Sequence, residues 1–153
     1  VHVETALEMM EASVAALPAD VAVCAAAVAD WRPAEPTRDK LKKTSTPPSL
    51  RLAKNPDILK QLAQAGNMRP ELLVGFAAET SNIVAQGHNK LATKGCDWIV
   101  ANDVSARGKV FGSDTNTVHL ITADGVEDWP EMSKDAIAER LAERIAEALE
   151  QAL

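Results

Sequence analysis

A chain of 153 residues, 46% of them apolar and 25% charged, has the size and composition of one soluble globular domain with one core. Its net charge of −6 argues against a general nucleic-acid binder, and no apolar run approaches the roughly 18 residues needed to span a bilayer. Nothing at the N-terminus has the pattern of a signal peptide.

Taken in chain order, Leu7, Met10, Val14 and Leu17 recur at helical spacing with Glu4, Glu8 and Glu11 outside, which predicts a helix over 4–17 ended by Pro18. A chain that opens on Val1 and enters a helix almost at once reads as a piece of a longer polypeptide. The run VAVCAAAVA, 21–29, is continuously apolar and predicts a strand covered on both faces. Residues 30–50 are rich in Pro, Thr and Lys and predict a long loop, a length usual only for functional or disordered segments. In KNPDIL, Asn55 is the expected N-cap, Pro56 the first helical residue and Asp57 part of the first turn of a helix reaching Gly66.

The run LLVGFAAE, 72–79, predicts a second buried strand, interrupted by Gly75. Thr80 or Ser81 should cap the next helix, whose inner face would be Val84, Gly87, His88 and Leu91 and whose stop is Gly95. DWIVAN, 97–102, predicts a third buried strand. NTVHLIT and GVEDW read as a hairpin around 123–125, with an alternation that suggests a more exposed edge. Ser133 should start a last helix with Ile137, Leu141, Ile145 and Leu149 in one stripe. Alternating helices and buried strands followed by a hairpin give the fold class: α/β, a Rossmann-like three-layer fold, its sheet mostly parallel with a C-terminal antiparallel hairpin.

Cys24 and Cys96 lack CxxC spacing and favour neither a zinc site nor a disulfide framework, so the expected compartment is the reducing cytoplasm. His2, His88 and His119 are scattered and suggest no metal site. Charge is less evenly spread: residues 32–54 hold seven cations (Arg32, Arg38, Lys40, Lys42, Lys43, Arg51, Lys54) against Glu35 and Asp39, a local +5 in a chain of −6.

Open α/β sheets bind ligands beyond the carboxyl ends of their parallel strands. That rule marks Ala29-Asp30-Trp31, Ala78-Glu79-Thr80 and Ala101-Asn102-Asp103, and the basic stretch leaves from the first of them. Lys40 and Lys42 suit a phosphate, or they are part of a solvated charged loop. Lys90 and Lys94 share a helix face and repel unless an anion bridges them, or they are an exposed flank. The helix start at Asn55-Pro56 offers free N–H groups to an anion, or it is plainly capped. Asp30 fits a Mg²⁺ ligand, a group orienting base or ribose, or a turn cap. Phe76 fits core packing or stacking on a base, and Glu79 is a lone carboxylate. Trp98, Phe111 and Trp129 read as packing residues. No GxGxxG, GxxxxGK[ST] or HExxH motif occurs. By pattern alone this is an anion-binding α/β domain.

Taken together, AAAVADWRP, KLKK, LAKNPDIL, VGFAAET, KLATKGCDWIVANDVS and FGSDTNTVHLI resemble the phosphopantothenate–cysteine ligase domain, in order from about residue 3 to 150. In bacteria that domain is commonly the C-terminal half of a bifunctional coenzyme A biosynthesis protein. The resemblance implies that the 4′-phosphopantothenate carboxylate attacks the α-phosphate of CTP, releasing pyrophosphate, and that the amine of L-cysteine then displaces CMP. It implies backbone contacts to the base from Ala25 and Ala26, Asp30 in the nucleotide site, and Lys40 stabilising charge as the acyl-cytidylate forms. It further implies that Pro56, Asp57, Ile58 and Leu59 line the nucleotide pocket, that Phe76 packs on the nucleotide, and that Lys90 and Lys94 hold its phosphates. On this basis residues 32–54 are a basic lid and Mg²⁺ shares in neutralising the phosphates. FMN belongs only to a fused decarboxylase domain, and the expected assembly is a homodimer without nucleic acid or membrane.

The resembled domain opens with a Gly-rich strand–turn–helix segment and an Asn-containing stretch that this sequence lacks, so residues 1–153 would form the C-terminal two thirds of one ligase domain. Two other classes compete: a flavin- or nicotinamide-dinucleotide-binding Rossmann-type domain, and a noncatalytic anion-binding module whose basic loop docks an acidic partner.

Overall fold

The structure is a computed structural model that describes residues 1–35, 49–104 and 114–152. Lys40, Lys42, Lys43 and Phe111 lie outside the described residues.

Helix α1 (Ala6–Ala15) starts at a capping box: Thr5 Oγ1 accepts from the Glu8 N–H, and Glu8 accepts in turn from the Thr5 N–H. Strand β1 (Val21–Cys24) follows, then β2 (Trp31–Pro33) and β3 (Leu52–Lys54), which pair with each other as an antiparallel ribbon. Helix α2 (Ile58–Ala63), a 3-10 turn over Gly66–Met68 and strand β4 (Leu72–Glu79) come next. Helix α3 (Ile83–Lys94), β5 (Trp98–Asp103), β6 (Thr115–Ile121), β7 (Val126–Ser133) and α4 (Lys134–Ala152) complete the chain.

Five strands form one sheet in the order β1-β4-β5-β6-β7; β1, β4 and β5 run parallel, while β6 and β7 add antiparallel. The period of two sorts β4 between two cores. Leu72 and Val74 join Trp98, Val100, Val118, Leu120 and Trp129 beneath Ile137 and Leu141 of α4. Leu73 and Ala77 join Ile99, Ala101, Ile121 and Cys96 beneath α2 and α3, through Leu62, Ile58, Leu59, Ile83 and Leu91. The architecture is therefore the expected three-layer α/β fold, and Trp98 and Trp129 are packing residues capped by the guanidinium groups of Arg144 and Arg140, at 6.0 and 4.8 Å.

Several expectations need correction. Strand β1 stops at Cys24 rather than Ala29, and it is half-buried because it pairs with β4 alone among the described strands. Residues 25–30 are exposed. The described ends of the predicted 32–54 loop are strands β2 and β3, which pair with each other. The cap of α2 is Asp57, whose Oδ1 accepts from the Lys60 N–H at 3.2 Å; Asn55 is occupied elsewhere. The N-cap of α3 is Asn82, in the left-handed region at φ 48°, and neither Thr80 nor Ser81 serves. His88 is exposed, because α3 meets the sheet through Ile83, Gly87 and Leu91. Strand β6 is interior, with Val118, Leu120 and Ile121 buried; of the two hairpin strands only β7 is at an edge of the sheet.

Candidate functional site

The carboxyl ends of β1 and β4 open into a cleft of about 820 Å³. Its floor is Phe76 and Ala78 of β4 with Ile99 and Asn102 of β5. One wall is the chain leaving β1, from Cys24 through Ala25 and Ala26 to Asp30. The other is Pro56, Asp57, Ile58 and Leu59 where α2 begins, with Lys90 and Lys94 of α3 behind it. Met9 and Ser13 of α1 close the side. Every site residue expected from sequence among the described ones thus faces the same cleft; Lys40 lies outside the described residues.

Local chemistry explains why these segments converge. Gly75 leaves room for α2: a Cβ there would stand 2.5 Å from Leu59 Cδ2 and 3.0 Å from Ile99 Cδ1. Asn55 ties the two walls together, its Nδ2 donating to the Ala29 carbonyl at 2.7 Å and its backbone N–H to the Asp30 carbonyl at 2.8 Å. Arg32 donates to Asn55 Oδ1 at 3.2 Å and to the Lys54 carbonyl. Of the predicted lid cations, the three that are described serve the ribbon: Arg32 in this way, Arg51 paired with Glu35, and Lys54 about 6.0 Å over the Trp31 ring.

The two lysines of α3 differ from expectation. Lys90 Nζ lies 2.8 Å from Glu79 Oε1 and Lys94 Nζ lies 2.6 Å from Asp57 Oδ2. Their mutual repulsion is therefore offset by carboxylates of the chain itself, and Glu79 is not a lone acid. The backbone carbonyl of Glu79 also accepts from the Val104 N–H at 2.9 Å.

Burial raises the pKa of Cys24, in the cleft wall, and pushes the Cys96 thiol up to about 11, with the charge of Asp97 adding to it. Among the described residues no group of three or more His, Cys, Asp or Glu is placed to hold a metal ion. Asp30, exposed at the cleft, can at most share an ion brought in by phosphates, the usual way Mg²⁺ is bound.

On the α4 side of the same sheet edge lies a second, apolar cavity of about 480 Å³. It shares Val23, Ala25, Phe76 and Asn102 with the cleft and is closed by Val118, Ile137, Leu141 and Ile145. Its polar groups are Asn102, Asn116 and Lys134, and the buried Asn116 Oδ1 accepts no hydrogen bond among the described residues. In the sequence Asn102 stands out only as a strand end, and Asn116 and Lys134 carry no signal; their convergence depends on the β5–β6 register, which no local pattern encodes.

A mostly parallel sheet flanked by helices, with a cleft at the carboxyl ends of its parallel strands, defines a Rossmann-like α/β domain. Comparison with known proteins names the family: the chain belongs to the DNA/pantothenate metabolism flavoprotein C-terminal domain family, whose model matches residues 1–149. It is 42% identical over 136 residues to the coenzyme A biosynthesis bifunctional protein CoaBC of Bacillus subtilis (strain 168), covering 88% of this chain and 33% of that protein. It is 39% identical over 145 residues to CoaBC of Escherichia coli (strain K12), covering 92% of this chain and 36% of that one. The chain thus spans about a third of the length of the curated relatives it matches. The crystal structure of the C-terminal domain of a CoaBC superposes with a TM-score of 0.75 at 32% identity, over 99% of this chain and 66% of that one. The DNA/pantothenate metabolism flavoprotein from Streptococcus pneumoniae, 21% identical with a TM-score of 0.63 over 92% of this chain and 64% of that one, shares the fold.

Proposed function

We propose that this chain is the nucleotide-handling part of a CTP-dependent phosphopantothenate–cysteine ligase acting in coenzyme A biosynthesis. One observation carries the reading: Ala25, Ala26, Asp30, Pro56–Leu59, Phe76, Lys90 and Lys94, distant in sequence, line a single cleft at the carboxyl ends of parallel strands.

In this account the triphosphate of CTP enters with its Mg²⁺ and lies toward Lys90 and Lys94, while Phe76 packs on the nucleotide. The exposed backbone at Ala25 and Ala26 reads the base. The adjoining apolar cavity receives the acid substrate, with Asn102 and Asn116 available to its amide and Lys134 to its anionic end. A carboxylate oxygen then attacks the α-phosphorus, the bond to pyrophosphate breaks, and Lys40 stabilises the charge that builds up. The cysteine amine next attacks the acyl carbon; CMP departs with the bonding pair, and the amine loses a proton. Holding both reactants at one sheet edge supplies the proximity that such a displacement requires. A cytoplasmic homodimer completes the proposal. No helix among the described residues is long and apolar enough to cross a membrane.

The test is pyrophosphate release from CTP, dependent on 4′-phosphopantothenate, in the full-length protein that contains this chain. Lys40→Gln should leave the fold intact and suppress that release. Unchanged release in the variant removes the assignment of Lys40, and no release from the native protein removes the ligase reading.

A further inference from the structure

Lys90 and Lys94 enter the cleft already held. The carboxylates that hold them stand on the ends of rigid elements: Glu79 is the last residue of β4, and Asp57 is the cap of α2. The lysines themselves sit one turn apart on α3, at the tips of flexible four-carbon stems. Glu79 is the least exposed of the four side chains, at 17%, so its charge is poorly dispersed by solvent. Counted over the described residues, the cleft lining together with the partners of its lysines holds two cations, Lys90 and Lys94, and three carboxylates, Asp30, Asp57 and Glu79, so the site has no net positive charge of its own.

We infer that Asp57 and Glu79 are built-in competitors for the anion site: they occupy the two lysines in the empty cleft and must yield them when a polyphosphate arrives. The inference rests on reading the cleft as a phosphate site. An ammonium group has three donors, so each lysine can turn toward a phosphate while its carboxylate stays close by. That carboxylate then repels the bound anion, so binding is weakened and release of a polyanionic product is eased. Only the lysines need to move. Asp57 keeps its hydrogen bond from the Lys60 N–H throughout, so α2 remains capped.

If the two ion pairs merely tied α3 to α2 and β4, neutralising a carboxylate would not strengthen anion binding. Asp57→Asn and Glu79→Gln separate these roles, because both are near-isosteric and Asn caps a helix as well as Asp. Inorganic pyrophosphate and Mg²⁺-CTP are titrated calorimetrically into this chain and into each variant at low and moderate salt, with thermal unfolding recorded to verify the fold. Each amide variant should bind pyrophosphate about fivefold tighter at low salt, the size of removing one unit charge at about 4 Å in a water-like dielectric. The gain should shrink as salt rises, and Lys90→Gln and Lys94→Gln should bind more weakly than the native chain. Equal or weaker binding by the folded amide variants, or no pyrophosphate binding by any form, overturns the inference. CTP-selective binding that ignores both amide substitutions keeps the ligase reading and overturns the competitors. Tighter pyrophosphate binding without any preference for CTP supports the competitors and counts against the ligase.

Discussion

Asn55 reaches back 26 residues to hold Ala29, its Nδ2 donating to the Ala29 carbonyl at 2.7 Å. With the Asn55 N–H bonded to the Asp30 carbonyl and Arg32 bonded to Asn55 Oδ1, one side chain fixes the spacing between the two walls of the cleft. Asn55→Ala removes one hydrogen bond and leaves Arg32 without this partner, at a cost of about 1 kcal/mol. In a domain of this size that lowers Tm by roughly 2–4 °C. Nucleotide affinity should fall further than stability, which calorimetry and thermal unfolding on the same variant will separate.

Gly75 makes a steric prediction. Its missing Cβ would meet Leu59 Cδ2 at 2.5 Å and Ile99 Cδ1 at 3.0 Å, so Gly75→Ala forces the Leu59 side chain out of its place between α2 and the sheet. Overpacking of this kind costs about 1–3 kcal/mol. Chemical denaturation should show that loss, and a smaller partner at the contact, Leu59→Ala combined with Gly75→Ala, should recover part of it.

On the opposite side of the molecule, Arg144 of α4 grips Glu127 of β7 at 2.6 Å, and this hydrogen-bonded guanidinium holds the Glu127 carboxyl below its ordinary value of 4.5. A depressed carboxylate stabilises the fold above its ordinary pKa, and that stability is lost as pH falls through the folded-state value. Glu127→Gln should therefore lower Tm at neutral pH, by the small amount expected of a partly exposed pair, up to about 1 kcal/mol. The difference from the native chain should vanish in acid, at pH values below the ordinary carboxylate range. A gap in Tm that persists at the lowest pH at which the chain stays folded would remove the assignment to this ion pair.

The two cysteines should report on the cleft. Cys24 lines it and is partly accessible, whereas Cys96 is buried with its thiol raised to about 11. At neutral pH an alkylating reagent should modify Cys24 well before Cys96, slowly because burial also raises the Cys24 thiol. A ligand filling the cleft should slow the reaction further. Mass spectrometry of the labelled peptides gives the order directly.

Much of the fold was legible in the sequence where local and tertiary demands coincide. Strand β4 matches the run 72–79 because it is an interior strand, buried from Leu72 to Gly75 and again at Ala77, and α3 ends at Gly95, whose φ of 72° favours glycine. Legibility failed where a distant partner decides. The alanines after Cys24 are as apolar as a strand requires, yet the chain turns away once its pairing with Gly75 ends. Asn55 and Asp57 are equally good caps by type; Ala29 and Arg32 draw Asn55 off and leave the role to Asp57. Gly87 is on the inner face of α3 as expected, where Ile121, from a later strand, fills the space a Cβ would need, 2.1 Å away, whereas His88 beside it is exposed. The lysines of the cleft were visible as a helical pair, but their carboxylates come from α2 and β4.

The central claim is that this cleft takes CTP. It is tested most directly by following thermal unfolding of the chain with Mg²⁺ and CTP, ATP, NADP⁺ or FMN in parallel. At a ligand concentration 100 times Kd, binding stabilises the fold by about 2.7 kcal/mol, which shifts Tm by roughly 5–10 °C. The account predicts that shift with CTP, a smaller one with ATP, none with NADP⁺ or FMN, and its loss in Lys94→Gln. A shift with NADP⁺ or FMN and none with CTP would contradict it.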